Sequence, residues 1–131
     1  MNRRLADERN GPPAMRRRPP SRRLVITVCP RERGMAALPV ERGGPVRRLD
    51  ARGIIRVLHD LVRRRQLGDR IQIREACAGG CSGRGPNIGV TLYPVPPPGE
   101  RPDAVAVGWR TYVGTLGTLD CLSRVIDDNL T

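Results

Sequence analysis

The feature that most constrains this chain is the order strand, helix, strand across residues 24 to 76. A chain that leaves a strand through a helix and then enters another strand lays the two in parallel, with a right-handed crossover. The first strand is Leu24-Val25-Ile26-Thr27-Val28, a β-branched run that stops at Cys29-Pro30. Asp50 can cap the helix that follows. Ile54, Ile55, Leu58, Leu61 and Val62 recur there at helical spacing, and Leu67-Gly68 offers a C-cap glycine. The second strand spans Arg70 to Ala76 and runs directly into Cys77.

The rest of the chain reads as a hairpin and a closing helix. Ile88, Val90 and Leu92 alternate with Gly89, Thr91 and Tyr93 in a third strand. An extended turn, Pro94-Val95-Pro96-Pro97-Pro98-Gly99, leads to a fourth, where Val105, Val107, Trp109, Thr111 and Val113 share one face. Thr118 is placed to cap a last helix with the apolar stripe Leu119, Leu122, Val125, Ile126 and Leu130. Between Pro30 and Arg48, two further prolines, three glycines and several charges read as a long loop. The fold class is therefore α/β, a small mixed sheet of β-α-β, then a β-hairpin, then α, with helices packed on it.

Cys29 and Cys77 each follow the top of a parallel strand, and Cys81 lies four residues on in the glycine-rich loop Cys77-Ala-Gly-Gly-Cys81. This is the carboxyl edge of parallel strands, where α/β sheets gather their ligands. A fourth strand running up would start the last helix at the same edge, with Cys121 in its first turn, so that all four thiols could be neighbours. Soft thiolate donors suit iron and iron–sulfur clusters. The ordinary alternative is buried cysteine acting as a small hydrophobe, and Cys121, four residues before Val125, has such a packing role beside the stripe.

The series Val28-Cys29, helix, strand, Cys77-x3-Cys81, Gly85-Pro86, Val90, Tyr93-Pro94, Tyr112 and a short last helix resembles the thioredoxin-like 2Fe-2S ferredoxins over about residues 23 to 130. The resemblance implies a thioredoxin-like fold for residues 23–131 behind a tail of residues 1–22. It also implies a 2Fe-2S cluster on Cys29, Cys77 and Cys81, and the work of a single-electron carrier to a protein partner rather than an enzyme. The family's second cysteine falls in the loop of residues 33 to 45, which here holds none. Cys121, Glu32, Glu41 or no residue is then the fourth donor, and loss of the cluster would leave a ferredoxin-scaffold binding or regulatory protein. Two further departures are an extra residue before Gly85-Pro86 and a longer, proline-rich hairpin.

Charge and composition bear on partners. All 24 basic residues are Arg, and the net charge is +11, of which residues 1 to 23 carry +6. The Arg- and Pro-rich start has no apolar periodicity to bury and is expected to be disordered. It suits an acidic redox partner, but lacks the interleaved aromatics of a single-strand nucleic-acid binder, which argues against nucleic acid. A homodimer stays open. No export signal and no long apolar run occurs, so a reducing cytoplasm and no membrane are expected. The single histidine, His59, falls on the helix as a surface or boundary residue. No Ser-His-acid, phosphate-loop or metal-hydrolase spacing is present, which leaves hydrolysis and nucleotide transfer without support.

Overall fold

The computed structural model describes residues 22–77, 85–95, 99, 105–113 and 115–130. The expected disordered start, Cys81 with its glycine-rich loop, and half of the proline-rich turn lie outside the described residues. Within them the chain is a mixed α/β fold. Strand β1 (Arg22–Val28) leads to a hairpin of β2 (Ala36–Pro39) and β3 (Val46–Leu49), then to helix α1 (Ala51–Arg64) and strand β4 (Ile71–Glu75). Strands β5 (Ile88–Pro94) and β6 (Gly108–Tyr112) follow, then a 3-10 turn at Leu116–Thr118 and helix α2 (Arg124–Leu130).

The main sheet has the order β4-β1-β5-β6 among the described residues. β1 and β4 are parallel, with Leu24 opposite Ile71 and Val28 opposite Glu75. β5 runs antiparallel to both β1 and β6. Asp50 caps α1 as expected, its Oδ1 accepting from Gly53 N at 2.7 Å. The helix ends earlier than Gly68: Gln66 takes the left-handed conformation at φ 57°, and Leu67 N–H closes onto Val62 C=O.

Alternation along β1 sets the layers. Leu24, Ile26 and Val28 are fully buried and share one core with Ile54, Leu58 and Leu61 of α1 and Val125 and Ile126 of α2. Both helices therefore pack on that face. The opposite face carries Arg23, Val25, Thr27, Thr91, Tyr93 and Thr111, of which Val25 is buried. The Arg23 guanidinium lies over the Tyr93 ring there, 4.7 Å from its centroid. The shared face of the fourth strand expected from sequence is this outer one: Val107 is exposed and Trp109 is 78 % exposed.

Two expectations are corrected. Residues 30–48 are not a long loop but contain the β2–β3 hairpin, turned at Gly43, whose φ of 80° suits glycine. The last helix begins at Arg124, not after Thr118. Leu122 N–H donates to Pro39 C=O and Ser123 N–H to Val40 C=O, so this stretch runs along the end of β2 before it can coil. Among the described residues, no helix is long and apolar enough to cross a membrane.

Candidate metal centre

The crossover brings two of the sequence-predicted thiols together. β1 and β4 end in register, and Ala76 N–H extends the ladder by donating to Val28 C=O. Cys29 and Cys77 follow on neighbouring chains. They line one groove of about 440 Å³ with Pro30, Arg31, Glu75 and Ala76. The Cys29 thiol is 6 % exposed, whereas Cys77 stands at the surface. Cys77 also lines a shallow depression on the outer sheet face, beside Thr27, Arg74 and Trp109. The pair thus spans from the protein interior to solvent.

The turn that carries Cys29 is held firmly. Glu32 N–H donates to Cys29 C=O at 3.3 Å, closing the turn. The Glu32 side chain is then buried, 6 % exposed, with both carboxylate oxygens engaged by one residue. Asn87 N–H donates to Oε1 at 3.0 Å, and Asn87 Nδ2 donates to Oε2 at 2.6 Å. The backbones also meet: a Cβ added at Gly34 would fall 2.5 Å from Gly85 C=O, and one at Gly85 would fall 2.9 Å from Arg33 C=O. Two glycines are required for this approach, and Gly34 has a φ of 99° as well.

Two of the candidate fourth donors, Glu41 and Cys121, lie away from this edge. Glu32 is committed to Asn87. Glu41 lies at the carboxyl end of α1, where Arg65 Nη2 donates to its Oε1 at 2.9 Å and Arg64 Nη1 to its Oε2 at 3.3 Å. The hydrogen bond from Arg65, ahead of the Coulombic pull of both arginines, holds the Glu41 carboxyl below its ordinary range. Cys121 lines a groove at that same end with Glu41, Arg65 and Asp127. It is 2 % exposed, with Sγ 3.2 Å from Ser123 Oγ.

The shared-edge placement of Cys121 is therefore corrected. It precedes α2 rather than sitting in its first turn, and the pairing of residues 122–123 with the end of β2 carries it down the molecule. β1, seven residues long, separates the two ends by roughly 20 Å at a strand's rise per residue. His59 is exposed on α1, away from any thiol-lined groove.

Thiolate is the right donor type for iron, so the residues fit a cluster in kind. In number the described residues supply Cys29 and Cys77, and Cys81 lies outside them. Among the described residues, no three His, Cys, Asp or Glu side chains form a group able to hold a metal ion. The role of Asn87 as the anchor of the Cys29 turn was open to sequence reading only through its position directly after Gly85-Pro86. Compared with known proteins, the chain matches no family model, no curated protein and no solved structure.

Proposed function

We propose that the chain is a ferredoxin-like electron carrier on a thioredoxin-like scaffold, with a 2Fe-2S cluster held by Cys29, Cys77 and Cys81. The observation that carries this reading is the convergence of Cys29 and Cys77, 48 residues apart in sequence, on one groove at the carboxyl edge of the parallel pair. The β-α-β unit followed by an antiparallel pair and a closing helix supports the thioredoxin-like assignment. A bound cluster supplies the capacity to take up and release one electron.

The chain's own residues would do the remaining work. The buried Cys29 side keeps water from one flank, and the exposed Cys77 side gives a short route to a docked partner. Arg31, on the groove wall, offsets the negative charge that thiolates and cluster sulfides bring together. An acidic protein partner is consistent with the net charge of +11.

Anaerobically purified protein should be brown and contain iron and acid-labile sulfide in equal amounts, about two of each per chain. Colourless protein that remains iron-free after reconstitution would overturn the electron-carrier reading. One observation favours a second reading, a ferredoxin-scaffold binding protein with a degenerate cluster: Glu32, Glu41 and Cys121 are each engaged elsewhere. In that case iron is absent while the same fold persists.

A further inference from the structure

We propose that Glu32 is the positioning residue of the candidate centre: its buried carboxylate, gripped by Asn87, fixes the Cys29 turn against the segment entering β5. The consequence for metal rests on the reading above; the geometry does not. Three independent contacts converge on this point. Glu32 N–H closes the turn onto Cys29 C=O, its carboxylate takes two hydrogen bonds from Asn87, and Gly34 packs backbone to backbone against Gly85.

The arrangement is a poor choice for mere stability. Burying a carboxylate is costly even when its oxygens are satisfied, and well-packed apolar side chains of similar volume would avoid the charge. Yet among the described residues Glu32 accepts from Asn87, with no arginine among its hydrogen-bond donors. What the carboxylate supplies is direction. As an acceptor-only group it admits one orientation of the Asn87 amide, with Nδ2 facing it, and so defines a single register between the two segments. Those segments frame the site: Cys29 begins the first, and Gly85-Pro86-Asn87 leads into the strand after Cys77 and Cys81 in the chain. Holding them rigidly holds the Cys29 thiol in one place, as a cluster ligand requires.

The test is alkylation of the metal-free full-length protein under native conditions, with iodoacetamide labelling of each cysteine followed by mass spectrometry. In the unaltered protein Cys77 should label fast and Cys29 and Cys121 slowly, in keeping with their exposure. Glu32→Ala should raise the Cys29 rate about tenfold by freeing the turn, and leave Cys121, at the far end of α1, unchanged. Glu32→Gln keeps an acceptor for Asn87 N–H but presents an amide that competes with Asn87 Nδ2 as donor, so its effect on Cys29 should be intermediate. This milder variant also serves if Glu32→Ala does not fold.

Reconstitution with iron and sulfide then reads the metal consequence: both variants should hold less iron than the unaltered protein, or show a shifted visible spectrum, in the order Ala beyond Gln. A Cys29 rate unchanged in both variants overturns the proposal. So does a parallel rise at Cys121, which would mean general loosening, or full iron with an unchanged spectrum in Glu32→Ala. If Cys29 opens selectively but the unaltered protein also takes up no iron, Glu32 still positions the turn and the cluster reading alone falls.

Discussion

Replacing Cys121 by Ala separates the two ends of the molecule. Cys121 is buried to 2 % exposure and its Sγ lies 3.2 Å from Ser123 Oγ, so the variant loses a methylene-sized group from the interior and one weak hydrogen bond. The first costs about 1 kcal/mol including the small cavity, and the second roughly 0.5–1 kcal/mol. A sum of about 1.5–2 kcal/mol corresponds to a fall of roughly 6–12 °C in Tm for a domain of this size. Circular dichroism melts of metal-free protein give that number without the added stability of a bound ligand.

Iron content should not follow, because Cys121 stands with Glu41 and Arg65 rather than with Cys29 and Cys77. Cys77→Ala should do the reverse, with the iron lost and a smaller fall in metal-free Tm than Cys121→Ala gives, because Cys77 is exposed and Cys121 buried. If Cys121→Ala empties the site as completely as Cys77→Ala, the placement of Cys121 at the carboxyl end of α1 is wrong, and so is every distance argument built on it.

Asp50→Ala removes the N-cap bond to Gly53 N and should cost about 1 kcal/mol, seen as a Tm lower by a few degrees, while Asp50→Asn keeps most of it. The Glu41 carboxyl is held low in the folded chain by Arg65, so its contribution to stability is present above the ordinary carboxylate pKa of about 4.3 and is lost as pH falls through the lowered folded value. Acid unfolding of Arg65→Gln should therefore lose part of its pH dependence below about pH 4.3, whereas an unaltered acid limb would show the pair to be energetically silent.

The parallel pair and α1 are legible from sequence because their cues are local and agree: a β-branched run, an Asp cap, a 3.6-residue stripe and a second short strand. From them follows the meeting of Cys29 and Cys77. The β2–β3 hairpin is harder to see, since Ala36-Ala37-Leu38-Pro39 is weak strand sequence and Val46-Arg47-Arg48-Leu49 buries only Leu49. Its stability comes from packing against residues 116–123, a contact no local pattern announces. The start of α2 fails for a related reason. Thr118 and Leu119 satisfy cap and stripe rules, but the N–H groups of Leu122 and Ser123 are taken by the C=O groups of Pro39 and Val40 at the end of β2, and a tertiary bond overrides local propensity. Glu32 shows a third kind of limit. A carboxylate in a polar loop reads as a free donor, and only the fold brings Asn87, 55 residues away, to occupy it.

The outer position of Trp109 decides how this protein can be watched. It is the chain's single tryptophan, and at 78 % exposure its indole is already in water in the folded state. Unfolding moves it from water to water, so its emission should barely shift when the core melts. A flat fluorescence trace on heating would then say nothing about whether β1 and α1 have come apart. The same emission becomes sensitive when anything settles on the sheet face around Trp109, because the indole then passes into a drier environment and turns blue. Tryptophan fluorescence in this chain is a reporter of coverage and not of folding.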